Sequence, residues 1–129
     1  MKIGIEFTEK EIAVPELVLG SREIGAVVEF QGLVREMEGE EALEGLFYEA
    51  YPEMAEKVLH RHLEELGTIH GCEAVEFIHR LGWVPVGESS LYIRVLSAHR
   101  GEGLRFLADS IDRLKLDVPI WKRTKRPVQ

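Results

Sequence analysis

Two stretches of this chain repeat apolar residues at helical spacing, and the residues that stop them limit where helices can lie. The first opens at Pro52 and sets Met54, Val58, Leu59, Leu63 and Leu66 on one face. Proline suits a first helical turn, because the N–H it lacks would have no partner there. Gly67 or Gly71 ends the run. The second follows Gly101-Glu102-Gly103 and sets Leu104, Leu107, Ala108, Ile111, Leu114 and Val118 on one stripe. Pro119 stops it, since its ring and missing N–H cannot continue the ladder.

The remaining patterned segments have the period of strands. Residues 2–7 put Ile3, Ile5 and Phe7 on one face. Residues 25–34 are apolar on both faces and rich in β-branched and aromatic side chains, which predicts a central, largely buried strand. Strands are also expected over 46–51, 74–81, 90–98 and 120–123, with a turn at 82–87. Residues 14–19 suggest a short helical turn closing at Gly20. Residues 35–44 hold five glutamates and one glycine and read as an exposed, mobile loop. Paired strands separate the helices, which predicts an α+β fold with two main helices on one face of a mixed, largely antiparallel sheet. All 129 residues are expected to form one domain.

Composition narrows the class. An apolar fraction of 45% with 30% charged residues is that of a soluble globular protein. No apolar run approaches the ~20 residues that span a bilayer, and the first residues do not read as a signal peptide. Cys72 is the one cysteine, so no internal disulfide can form, which fits a reducing cytoplasm. It reads as a small buried side chain. A net charge of −7 argues against nucleic acid as a partner. Yet from Arg113 onward six Lys or Arg stand against one acid, an asymmetry that asks for an anion.

Candidate chemistry collects near that basic segment. Lys115 falls beside the stripe of the second helix. It either lays its methylenes on the core edge with its ammonium in water, or is a partly desolvated amine able to act as a base or nucleophile. His99-Arg100 lies between a strand and a helix start, and is either an anion site using free backbone N–H groups or a solvent-exposed basic corner. Arg35 opens the acidic stretch, as an ion-pair partner or a second anion clamp. His60, His62 and His70 lack the spacing of metal ligands on one helix face. His79 alternates with Phe77 and Val75 and reads as a satisfied strand histidine, and Trp121 as a packing residue.

Four blocks, in order, carry a resemblance: Gly25-Ala26-Val27-Val28 with Phe30, Gly32, Val34 and Arg35; Tyr48-Glu49-Ala50-Tyr51-Pro52-Glu53-Met54-Ala55; Ala98-His99-Arg100; and Asp112-Arg113-Leu114-Lys115 with Val118-Pro119-Ile120-Trp121-Lys122. Together they resemble the catalytic (large) subunit of molybdopterin synthase. The resemblance implies a hammerhead-type α+β fold with a ferredoxin-like unit. It implies a homodimer within a heterotetramer, each copy binding a small ubiquitin-like sulfur-carrier subunit through its C-terminal Gly-Gly thiocarboxylate. The implied reaction passes two sulfurs to cyclic pyranopterin monophosphate to form the dithiolene of molybdopterin, with no redox cofactor, no metal, no nucleic acid and no membrane. By position, Lys115 and Lys122 match the active-site lysines. Arg35, His99 and Arg100 match anion-binding positions, and Arg123, Leu33 and Val34 would line the pocket. Thr124 stands where the family usually has a glutamate. The competing expectation is a non-enzymatic ferredoxin-like module that binds a small anion or a partner chain.

Overall fold

The computed structural model describes residues 1–127, with side chains through Lys122. In chain order it contains β1 (Lys2–Thr8), β2 (Ala26–Leu33), β3 (Met37–Glu38), β4 (Glu41–Ala50), α1 (Pro52–His70), β5 (Ala74–Arg80), β6 (Gly82–Pro85), β7 (Ser89–Ser97), α2 (Arg100–Asp117) and β8 (Ile120–Pro127). Four strands make one sheet in the order β1-β5-β7-β2, parallel only between β1 and β5. The second sheet is built on β4, which pairs with β3, β6 and β8, all antiparallel. The architecture is α+β, as expected, with α1 and α2 packed on each other and on the first sheet.

Helix α1 begins as the sequence suggests, with Pro52 in its first turn and Glu53 beside the positive end of the dipole. It ends at Gly71, whose φ of 72° is the left-handed conformation that glycine adopts at no steric cost. The Gly71 N–H closes the cap by donating to the Gly67 carbonyl at 2.8 Å. Its buried stripe runs through Ala55, Leu59, His62, Leu63 and Leu66 with Val58 packed beside it, so the expected face holds except at Met54, which is exposed.

Helix α2 begins at Arg100, ahead of the start expected after Gly103, and its buried face is turned from the expected stripe. Leu104 and Ala108 are exposed, while Gly103, Phe106 and Ser110 are buried, with Leu107, Ile111 and Leu114 packed beside them. The cause is close approach to the sheet. A Cβ at Gly103 would meet Ser97 Oγ at 2.8 Å and Val28 Cγ2 at 3.0 Å, so only glycine lets the helix sit this low. Phe106, fully buried, then fills the space beside it.

Four expectations fail. The strand at 26–33 is an edge of its sheet rather than central, because β8 joins the second sheet instead of flanking it. Its outward residues Val27, Glu29, Gln31 and Leu33 are exposed. The acidic stretch is not a loose loop: β3 and β4 form a hairpin, turning at Gly39 with φ 64°. Residues 14–19 form no helical turn. The segment expected as a turn at 82–87 begins with β6, which pairs with Gly45–Tyr48 of β4. The main core centres on Leu59, Leu63, Phe77, Ile93, Val95 and Phe106, and a smaller one joins Val34, Leu43, Leu46 and Val84.

Candidate functional site

The stop signal at Pro119 determines what meets the end of α2. The helix ends at Asp117, Val118 is buried, and the chain turns at once into β8. The Tyr51 N–H donates to the Pro119 carbonyl at 3.2 Å, and the Tyr51 and Trp121 rings pack at 5.2 Å. These contacts tie the start of β8 to the junction of β4 with α1. A cavity of about 510 Å³ forms in the angle so made. Ile111, Leu114 and Lys115 of α2 form one wall, and Ile120, Trp121 and Lys122 of β8 another. Phe30, Gly32 and Leu33 of β2, Tyr48 of β4, His79 of β5 and Ser90 and Leu91 of β7 complete it.

Lys115 and Lys122 therefore share one cavity, although they come from a helix and from a strand of the other sheet. Lys115 is exposed in the last turn of α2, where a cation also suits the helix dipole. Lys122 faces Tyr48 across the β4–β8 ladder, and its Nζ lies 3.4 Å from Glu38 Oε1. Two ammonium groups on an otherwise apolar and aromatic lining make a site for an anion. Glu38 comes from the acidic hairpin, so that hairpin is part of the site's electrostatics. Sequence reasoning left Glu38 out, because a loop reading gives no reason for any one of its glutamates to turn inward.

His79, read from the sequence as a satisfied strand histidine, also lines the cavity. It is 5% exposed and sits on the helix-facing side of β5 with Val75 and Phe77, so its period is that of a core residue. Its Nδ1 lies 2.8 Å from the Arg80 carbonyl, and Tyr48 packs edge-on against the ring at 5.2 Å. Burial pushes its pKa below the usual imidazole value, with the carbonyl opposing in part. Only its place at the end of the strand, where the cavity opens, distinguishes it from an ordinary core histidine.

The other nominated residues divide. Leu33 lines the cavity and is exposed, whereas Val34 is buried in the smaller core. Arg35 is exposed just beyond β2 and is not part of the cavity lining. His99 and Arg100 lie at the opposite end of α2 from Lys115, fifteen residues or about 22 Å along the axis from Arg100. A single copy does not bring them to the lysines. His99 pairs with Glu102 at 3.0 Å, and Gly103 beside it is a packing glycine rather than part of an anion loop. Arg123 and Thr124 have backbones in β8, but their side chains lie outside the described residues.

The remaining titratable groups have structural roles. His62 Nε2 meets Asp117 at 2.6 Å and His70 Nε2 meets Asp109 at 2.7 Å, tying α1 to α2. Among the described residues no group of His, Cys, Asp and Glu could hold a metal ion. Burial, and next the charge of Glu102, push the Cys72 thiol up to about 11. A second cavity, of about 480 Å³, lies between residues 16–24 and strands β1, β5 and β7 and contains none of the nominated residues. No helix among the described residues is long and apolar enough to cross a membrane.

Comparison with known proteins adds a family. A family model described as MoaE protein matches residues 7–117. The molybdopterin synthase catalytic subunit of Thermoplasma volcanium is 37% identical over 121 residues, covering 92% of this chain and 88% of that protein. The protein of that name from Rattus norvegicus is 39% identical over 122 residues, 92% of this chain. The chain spans 60% of the rat protein and 50% of the Arabidopsis thaliana one. The crystal structure of molybdopterin synthase from Staphylococcus aureus matches with a TM-score of 0.80 and 29% identity, over 95% of each chain.

Proposed function

The chain belongs to the MoaE protein family, and on that premise we propose that it is the catalytic subunit of a molybdopterin synthase. In this reading, residues 1–129 act as one domain in the cytoplasm. They transfer sulfur from the C-terminal thiocarboxylate of a small ubiquitin-like carrier to cyclic pyranopterin monophosphate, forming the dithiolene. The observation that carries it is the meeting of Lys115 and Lys122 in one cavity. The relatives' name, catalytic subunit, speaks of proteins that act with another subunit.

The chemistry suits such a cavity. The thiocarboxylate sulfur bonds to a substrate carbon, leaving the carrier's acyl carbon attached to that sulfur. Water then takes the acyl group, the carrier departs as a carboxylate, and the displaced substrate oxygen leaves with a proton. No net oxidation occurs, because sulfur replaces oxygen at the same level. Each step moves protons at oxygen atoms, and positioned lysines can supply and remove them. An ammonium beside the tetrahedral carbon also stabilises the negative charge that develops there. Lys115 is exposed, so its ammonium is within reach of a carrier tail and substrate entering the cavity.

Arg35, Arg123 and the backbone around Leu33 and Val34 are assigned to the substrate pocket on the family resemblance, although Arg35 lies outside the cavity lining of one copy. Thr124 is assigned there by its place in β8, at a position where the family usually has a glutamate. His99 and Arg100 are assigned there too, but about 22 Å of helix keeps them from Lys115 within one copy. A site that uses both ends of α2 therefore takes one end from a second copy, in agreement with a homodimer at the centre of the assembly. The test is reconstitution: purified protein, thiocarboxylated carrier and the cyclic pterin should yield molybdopterin, and the carboxylate form of the carrier should yield none. Absence of product with the thiocarboxylate would refute the assignment.

A further inference from the structure

We propose that His79 presents an unprotonated Nε2 to the cavity of Lys115 and Lys122, where it accepts a hydrogen bond from an N–H or O–H of the bound substrate. The inference deepens the sulfur-transfer reading and rests on it for the identity of the substrate. Three observations carry it: the residue lines the cavity, it is 95% shielded from solvent, and its ring is held from the other nitrogen.

The tautomer follows from the partner. A carbonyl oxygen can only accept, so the contact between Nδ1 and the Arg80 carbonyl at 2.8 Å places the proton on Nδ1. No other hydrogen bond reaches the ring among the described residues. A neutral imidazole with Nδ1 protonated has a lone pair at Nε2 and nothing else there. Its surroundings keep it neutral. β1 and β7 place Phe7 and Leu91 beside it in register, and β2 brings Phe30 to the same cavity. The titratable groups sharing the space are Tyr48 from β4, Lys115 from α2 and Lys122 from β8, with the Glu38 carboxylate of β3 lying 3.4 Å from Lys122 Nζ. Burial already lowers the ring's affinity for a proton, and cations in the same cavity oppose a second charge.

This gives the cavity a polarity that the lysines alone lack. Charged lysines donate and cannot accept, so they recognise an anionic group but are blind to a ligand's N–H and O–H groups. Nε2 adds a buried acceptor to the Tyr48 and Ser90 hydroxyls of the same lining. The ligand class that satisfies both is a compact molecule with an anionic group and a polar ring or hydroxyl donor. A buried acceptor left without its donor is costly, so the contact discriminates against analogues that lack the donor.

Asparagine and glutamine separate the two nitrogens. His79→Asn keeps an amide near the Nδ1 position, able to hold the Arg80 carbonyl, and removes the group at Nε2. His79→Gln places an amide oxygen or nitrogen near Nε2. We expect His79→Asn to fold and bind carrier as wild type does, with kcat/KM for the cyclic pterin down by about 10-fold or more, chiefly through KM. His79→Gln should recover part of that loss. Unchanged kcat/KM in folded His79→Asn overturns the inference. Nitrogen-15 spectra of the wild-type ring need no variant: they should show the proton on Nδ1 at neutral pH and a shift of Nε2 when the cyclic pterin is added. A proton on Nε2, or no shift at saturation, also overturns it. Failure of wild type to make product would instead strike the sulfur-transfer reading, and the tautomer measurement would still decide this one.

Discussion

Among single residues, the sharpest contrast is between Cys72 and the lysines. A protein that handles sulfur could carry it on its own thiol, and this chain has one cysteine. That thiol is buried, lies 3.6 Å from the Glu102 carbonyl, and is pushed up to about 11, so at neutral pH almost none of it is thiolate. It also lies near the first turn of α2, away from the cavity at the other end of the helix. In the proposed reaction, sulfur therefore does not pass through it. Cys72→Ala should retain the rate of sulfur transfer within about twofold, measured in the reconstituted assay, since only a small buried side chain is lost. A loss of activity in a folded variant would put a protein-bound sulfur into the mechanism. Cys72 was read correctly from the sequence, because a lone cysteine beside a glycine at a strand start has few other uses. Lys115 was open between two readings, because helix periodicity places a side chain beside the core but does not say what faces it.

Within elements, the extent of α1 and all of its face but Met54 were legible, whereas α2 starts at Arg100, ahead of the start expected after Gly103, and its face was misread by about one residue. Periodicity locates the apolar stripe from the average of its members, and that average is blind to what the sheet requires. Gly103 and Ser110 are small, so the stripe approaches the strands along a line that the apolar pattern does not mark. Phe106 is the residue that this shift puts at the centre, fully buried beside Val95 and Phe77 in the main core. Phe106→Ala should cost about 3–5 kcal/mol, the range for removing a large side chain from a packed interior. The denaturant midpoint checks it, and a loss under about 1 kcal/mol would mean that the packing described here is wrong. The acidic stretch from Glu36 to Glu44 was missed for a related reason. Its charges suggest a loop, but a hairpin needs only a turn residue, here Gly39, and a partner strand for its backbone. The prize for that hairpin is Glu38 beside Lys122.

Taken whole, the molecule joins a four-stranded sheet carrying two helices to a second sheet built around β4, with the cavity where the chain passes from α2 into β8 of the second sheet. The class and the order of the main elements could be read from the chain. Which sheet each strand joins could not, since pairing depends on long-range contacts that no local pattern records. For the same reason β2 looked central: its two apolar faces are those of an edge strand whose outer side chains, Val27 and Leu33, stand exposed. Residues at the two ends of α2 also looked like one site in sequence, and the helix's length divides them. What brings Lys115 and Lys122 together is the abrupt turn at Pro119, a whole-molecule consequence of one proline. The central claim is that this cavity performs sulfur transfer and that Lys115 takes part in it. The most direct measurement is the initial rate of molybdopterin formation by Lys115→Ala beside wild type, with saturating thiocarboxylated carrier and matched circular dichroism spectra. The account predicts a rate lower by at least about 100-fold, the scale for loss of a positioned proton-transfer group. A rate equal to that of wild type would contradict it.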